Sequence, residues 1–327
     1  MMLERQCPVC ASLLDEEDLF CPNCGHESPQ ANAGEEPASE KPKPMVFKNR
    51  FTCQGCGAAM SYDASAQALR CPFCGSTELK SQADGMSLTP KYVVPFAITR
   101  EQALAILQKH MRSGFFRPGD LAQRSAITEM AAVYVPYWVF AAKTHTYWTA
   151  DSSDVPFHAR GNWRPIFGEH RNRHDGIKVV ASKVLSWEES QGLGQYDVSH
   201  GVPPEQVDLD NVIVEQFSMP RKYARAQARQ LIEDAEKVYC ANTLVQQRIR
   251  NLRVNVKIER MKGEPILLPV WILAYRYRDQ VYRFVVNGQT GRARGAFPIS
   301  PWKVLLMVVL IVLAIVVIVA ILGALVG

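Results

Sequence analysis

The stretch from Val304 to Val326 (VLLMVVLIVLAIVVIVAILGALV) contains no charged residue, no polar side chain and no proline. As a helix rising 1.5 Å per residue it covers roughly 34 Å, enough for the hydrocarbon core of a bilayer. A buried helix in a soluble domain is usually shorter and keeps a polar edge. The run therefore predicts a transmembrane helix over 302–326, with Trp302 at its start and at headgroup level, although a loop tryptophan is the plainer reading of that residue. The sequence ends directly behind the run, so the remainder is expected on one face of the membrane. Arg283, Arg292, Arg294 and Lys303 flank the helix entry and no basic residue flanks the exit. That asymmetry predicts a single-pass protein of a cell inner membrane or plasma membrane, with its N-terminal body cytoplasmic.

The start, MMLERQCPVCASLLDEED, lacks the apolar core of a signal peptide, which argues against export. Eight of the nine cysteines fall into four C-x-x-C pairs, and in a reducing compartment such pairs point to metal rather than disulfides. The formal charge of +5 is then misleading as an argument for nucleic acid. Eight bound thiolates remove eight charges and two zinc ions return four, leaving +1.

Cys7, Cys10, Cys21 and Cys24 form one set of four thiols, and Cys53, Cys56, Cys71 and Cys74 another. Two tight turns per set supply the soft, closed tetrahedron of a structural zinc site, so two zinc ions and two zinc ribbons are expected, over 1–27 and 48–82. Gly25, Gly57 and Gly75 each follow the second cysteine of a pair, where the returning backbone often needs a left-handed residue. A redox C-x-x-C would need a strand-to-helix setting that these loops lack, and a catalytic zinc would need an open position that four cysteines do not leave. The first set is surrounded by Glu4, Asp15, Glu16, Glu17, Asp18 and Glu27 against Arg5, a charge that repels phosphate and suits protein contact. The second carries Lys48, Arg50, Arg70 and Lys80 against Asp63 and Glu78, which permits nucleic acid without arguing for it. Between the ribbons, residues 28–47 are rich in Pro, Glu, Ala and Lys and read as a disordered linker.

Residues 89–299 read as an α+β domain. Thr99-Arg100-Glu101-Gln102 opens a helix that Ser113-Gly114 closes. Strands are predicted at 127–140, 144–149, 176–184, 211–217, 252–260, 267–278 and 280–287, with a long amphipathic helix over 223–249. Val135-Pro136-Tyr137-Trp138-Val139-Phe140-Ala141 echoes Leu268-Pro269-Val270-Trp271-Ile272-Leu273-Ala274, which raises a helix-plus-meander unit occurring twice, chance likeness of two strands being the alternative. Tryptophans in such strands are expected to fill core volume.

The signatures of P-loop hydrolysis, zinc peptidases, serine hydrolases and dinucleotide binding are all missing. The cluster Gly168-Glu169-His170-Arg171-Asn172-Arg173-His174-Asp175-Gly176 holds two histidines four apart, but glycines at both ends and the run of polar residues favour an exposed loop over a catalytic or metal role. Arg160, Arg164, Arg171, Arg173 and Lys178, with Arg221, Lys222, Arg225 and Arg229, are read as a solvated basic surface, lipid headgroups being the alternative. Cys240 is expected to pack in the core as an unpaired thiol.

The chain resembles a family of bacterial membrane-anchored TFIIB-type zinc-ribbon proteins, often labelled replication factor Y (primosomal protein N′)-like. The resemblance rests on Cys53-Gln54-Gly55-Cys56-Gly57 with Cys71-Pro72-Phe73-Cys74-Gly75, on Val94-Pro95-Phe96, on Tyr134-Val135-Pro136-Tyr137-Trp138, on Leu268-Pro269-Val270-Trp271 and on Asn287-Gly288-Gln289-Thr290-Gly291. It covers most of 53–291 and implies a ribbon and a membrane anchor, while the extra ribbon at Cys7 to Cys24 departs from members with one. The expectation from these features is a non-enzymatic, tail-anchored adaptor that binds or recruits cytoplasmic proteins at the membrane and has no small-molecule substrate. Membrane attachment of nucleic acid through the second ribbon, and an unrecognised enzyme in the large domain, are the alternatives.

Overall fold

The computed structural model describes residues 50–61, 70–82, 85–158, 160–209, 212–243 and 248–326, together with three short strands at 5–6, 13–14 and 45–47. Strand β1 (Arg5–Gln6) pairs antiparallel with β2 (Leu13–Leu14). Cys7, Cys10, Cys21 and Cys24 lie outside the described residues, as do 28–44 of the expected linker. The last three residues of that linker form β3 (Met45–Phe47), which pairs antiparallel with residues 85–87.

A three-stranded ribbon follows, made of β4 (Arg50–Cys53), β5 (Ala59–Ser61) and β6 (Leu79–Gln82), with β4 in the middle. After β7 (Gly85–Ser87) and β8 (Tyr92–Val93) comes α1 (Arg100–Arg112). Thr99 caps it reciprocally: its Oγ1 accepts from the Gln102 N–H, and Gln102 Oε1 accepts from the Thr99 N–H. A short α2 (Leu121–Arg124) leads into β9 (Ala126–Ser152) and β10 (Arg164–Val180). Then come α3 (Trp187–Gly192), β11 (Ile213–Glu215), α4 (Arg221–Thr243), β12 (Ile249–Tyr277), β13 (Gln280–Asn287), β14 (Ala293–Gly295) and α5 (Pro301–Val326).

Two strands dominate. At about 3.3 Å per residue the 27 residues of β9 amount to roughly 90 Å of contour. β9 pairs antiparallel with β12 from Ser152↔Ile249 to Ala126↔Arg276. The sequence predicts a break after Phe140, because Ala141-Ala142-Lys143 has little strand propensity. The strand runs on because Ala142 is buried there, opposite His174 on one side and Met261 on the other. The two predicted strands at 252–260 and 267–278 likewise merge into β12. Residues 168–176, expected as an exposed loop, are part of the strand β10, which runs on through 176–180 where a strand is predicted. Gly168 lies under the Trp148 indole, where a Cβ would stand 2.5 Å from a ring carbon, and Gly176 takes φ +75° at the bulge between His174 and Ile177.

The sheet runs β14-β13-β12-β9-β11-β5-β4-β6, with β10 beside β9 and β8 beside β12. β11 is the seam. It pairs parallel with β9 (Val214↔Tyr134) and antiparallel with β5 (Val214↔Ser61, Glu215↔Met60), so the ribbon extends the large sheet. One apolar cluster accordingly joins Phe51, Met60 and Phe73 of the ribbon to Val133, Tyr137, Leu193 and Ile266 of the body.

The two echoed stretches occupy matching surroundings. Trp271 Nε1 donates to the carbonyl of Ile98, two residues before α1, and Trp138 Nε1 donates to the carbonyl of Met219, two residues before α4, both at 2.8 Å. The Ala97 N–H donates to Gly288 O and the Ser218 N–H to Ala181 O, each three residues before its helix. Gly288 and Ala181 in turn donate to the carbonyls of Pro269 and Pro136. Phe96 packs on Trp271 and Phe217 on Trp138. Even the short parallel pairs correspond, Val93↔Leu267 with Val214↔Tyr134.

Candidate metal centre

The turns that carry the second cysteine set are short and closed by their own backbone. Gly57 N–H donates to Cys53 O at 2.9 Å and Gly75 N–H to Cys71 O at 2.8 Å. Both glycines sit at φ values an L side chain resists, +73° and +74°, as the spacing requires. Cys53 comes from the end of β4, and the Cys71 turn is held by Cys71 N–H donating to Ser76 O. The result brings all four thiols together, their sulfurs within 4.8 Å of one another. Cys53 Sγ lies 3.5 Å from Cys74 Sγ and Cys56 Sγ lies 3.6 Å from Cys71 Sγ.

Four sulfurs at about 2.3 Å from one ion would stand about 3.8 Å apart, so the cluster fits a tetrahedral metal with little movement. Bound there, zinc would supply a cross-link between the two turns. Burial works to raise the Cys53 thiol, but N–H groups of Cys56 and Gly55 and the neighbouring thiols bring it down to about 7. Burial pushes Cys56 up to about 11 and Cys71 higher still. All four positions are used, so the centre has no open site for a substrate. Among the described residues this is the one such cluster of metal-ligating side chains. Arg50, one of the basic residues that leave nucleic acid permitted at this ribbon, points into the seam, where its Nη2 donates to Gln216 Oε1 at 2.6 Å.

Two buried carboxylates escape sequence reasoning. Glu236, on α4, is fully buried and accepts from Thr144 Oγ1 at 2.7 Å; its Oε2 and Oε1 stand 2.6 Å from His170 Nε2 and His174 Nε2. Burial acts to raise its pKa, but the Thr144 hydroxyl and both imidazoles outweigh that and hold it below the ordinary carboxylate value. The sequence favours an exposed loop for the two histidines; they lie instead on a strand, where positions i and i+4 share a face, and both reach Glu236. The available signal was Glu236 itself, which interrupts the buried helix stripe Ala224, Ala228, Ile232 and Cys240. Glu215, in β11, is 2% exposed and sits at the ribbon seam. Its Oε1 accepts from Ser182 Oγ and the Lys183 N–H, while burial dominates and pushes its pKa up to about 7.

Over 316 residues the chain is 25% identical to the uncharacterized protein YdjG of Bacillus subtilis (strain 168), covering 93% of this chain and 92% of that protein. No family model matches the chain, and no solved structure matches it.

Proposed function

We propose that this protein is a non-enzymatic adaptor of the membrane-anchored zinc-ribbon kind it resembles, held by α5 and presenting its ribbons to proteins on the cytoplasmic side of a cell inner membrane or plasma membrane. The observation that carries the reading is the continuity of one sheet. The four-thiolate cluster is built into the same sheet whose other end leads, through β14, to a helix with an 18-residue window that is long and apolar enough to cross a bilayer and wholly unburied. A closed centre of this kind stiffens a surface and performs no turnover. In this reading Cys53, Cys56, Cys71 and Cys74 hold one structural zinc ion, and Cys7, Cys10, Cys21 and Cys24 hold a second in the acidic first ribbon. The body is a duplicated unit, a short strand, a helix and a hairpin used twice, supported by the matched hydrogen bonds of Trp138 and Trp271.

The test is an affinity pull-down from detergent extract comparing the full chain with a Cys7→Ser, Cys10→Ser variant. Loss of a reproducible set of interactors in the variant is expected. Recovery of the same set from both would remove the adaptor role of the first ribbon.

A further inference from the structure

The helix α5 does not leave the body alone. Its root is tied to the loop between α1 and α2: the Ser300 N–H donates to Phe116 O at 2.8 Å, and Lys303 Nζ donates to Arg117 O at 2.8 Å. The Arg117 guanidinium lies on the Phe297 ring, 3.7 Å from its centre, which fixes the loop from the other side. The loop therefore moves with the first turn of the helix. In this loop Phe115, edge-on to Phe116, is 63% exposed, and Ile299 and Trp302 at the root are 67% and 71% exposed. Three exposed large apolar side chains on segments hydrogen-bonded to the start of a helix apolar enough to span a bilayer are costly in water and suited to the headgroup boundary.

On another side of the root, the two-residue turn between β12 and β13 holds Arg278 at φ +50° with its guanidinium over the Tyr277 ring. A cavity of about 390 Å³ separates this turn from the loop and the helix start; Pro118, Tyr277, Arg278, Asp279, Tyr282 and Ser300 line it. Its chemistry is a guanidinium that can grip a phosphate in a fork, beside the Asp279 carboxylate for the polar end of a headgroup, while the Tyr277 and Tyr282 hydroxyls donate to Asp120 and Gln280 and shape the wall. The continuity of this surface with α5 selects the occupant.

We propose that the root of α5 is a second, peripheral membrane contact, in which Phe115 inserts beside Trp302 and the adjoining cavity takes the phosphate headgroup of a bilayer glycerophospholipid at Arg278. The proposal rests on α5 spanning a bilayer, and the experiment separates the two.

Full-length protein carrying a benzophenone side chain at Phe115, or at Leu306 within the span, is reconstituted into vesicles of phosphatidylethanolamine and phosphatidylglycerol and irradiated. The adducts are then identified by mass. Zinc content reports that each variant has folded, and irradiation in lipid-free micelles gives the background. Phospholipid adducts at both positions are expected. Adducts at 306 with only background at 115 would overturn the proposal and leave the span intact, whereas background at both would remove the span itself. The headgroup half is tested by counting phospholipids retained when the intact protein is released into the gas phase. Arg278→Gln is expected to retain fewer than the wild type, and equal retention overturns that half.

Discussion

The buried carboxylates are where single substitutions decide most. Glu236 satisfies the Thr144 hydroxyl and two imidazoles at once, with no exposed surface of its own. Glu236→Ala removes the carboxylate from both imidazoles and leaves the Thr144 hydroxyl only the more distant Asn172 carbonyl, and a loss of about 3 kcal/mol or more is expected in urea unfolding of the full chain. A change below about 1 kcal/mol would mean the clasp adds little to the packing around it. Glu215 behaves oppositely. Burial raises its folded pKa to about 7 from an ordinary 4.5, so the folded state binds its proton more tightly than the unfolded chain. The stability contributed by that proton is fully present below about 4.5 and is lost as pH rises through about 7, a difference of about 3 kcal/mol. Glu215→Gln keeps an oxygen for Ser182 and Lys183 and never ionises. Its melting temperature should therefore gain on the wild type between pH 5 and pH 8, and parallel pH curves would refute the assignment.

At the scale of elements, the sequence was read well wherever local chemistry decides the outcome. The Thr99 cap, the left-handed glycines after Cys56 and Cys74, strand β13 and the apolar run of α5 all follow from residues within a turn or two of one another. Local patterns do not suffice where a partner far along the chain decides. Ala141-Ala142-Lys143 stays extended because β10 and β12 hold it on both edges, and Gly168 is a strand residue because Trp148 lies across it. The histidine pair shows the same limit: the spacing was visible, but a face shared on a strand and a face shared on a helix both satisfy it. The echo around Trp138 and Trp271 was legible as a string. Its meaning lay in the carbonyls of Met219 and Ile98, which no local pattern names. Of the metal centre, all four cysteines of the second set were readable from spacing, whereas their fusion to the body through the three residues of β11 was not.

For the molecule as a whole, that fusion determines how far the metal's influence reaches. The ribbon meets the body through short pairings on either side of β11 and through one shared apolar cluster, so the four thiols brace more than their own turns. Metal at a site of this type contributes roughly 10 to 16 kcal/mol to the fold it closes, more than a small ribbon can obtain by burial. If the four thiols hold zinc as proposed, stripping it with a chelator should therefore abolish amide protection across 50–61 and 70–82, and also weaken it at 213–215, 133–137 and 193–196, whose residues share the apolar cluster of Phe51, Met60 and Phe73. On the opposite face of these strands α4 packs through Ala224, Ala228, Ile232 and Glu236 over a separate apolar cluster that continues along β9 to Ala142 and β12 to Met261, and α4 with those strand segments should keep its protection. Hydrogen exchange followed by mass spectrometry reads all of these segments in one experiment. Loss confined to the ribbon would make it an independent module. Loss everywhere would make the chain one cooperative unit whose folding depends on metal. The graded result is expected because the ribbon shares its apolar cluster with one face of the body strands, while α4 packs on the opposite face of the same strands, and a loosened seam would then re-aim the ribbon surface relative to the α5 end of the sheet.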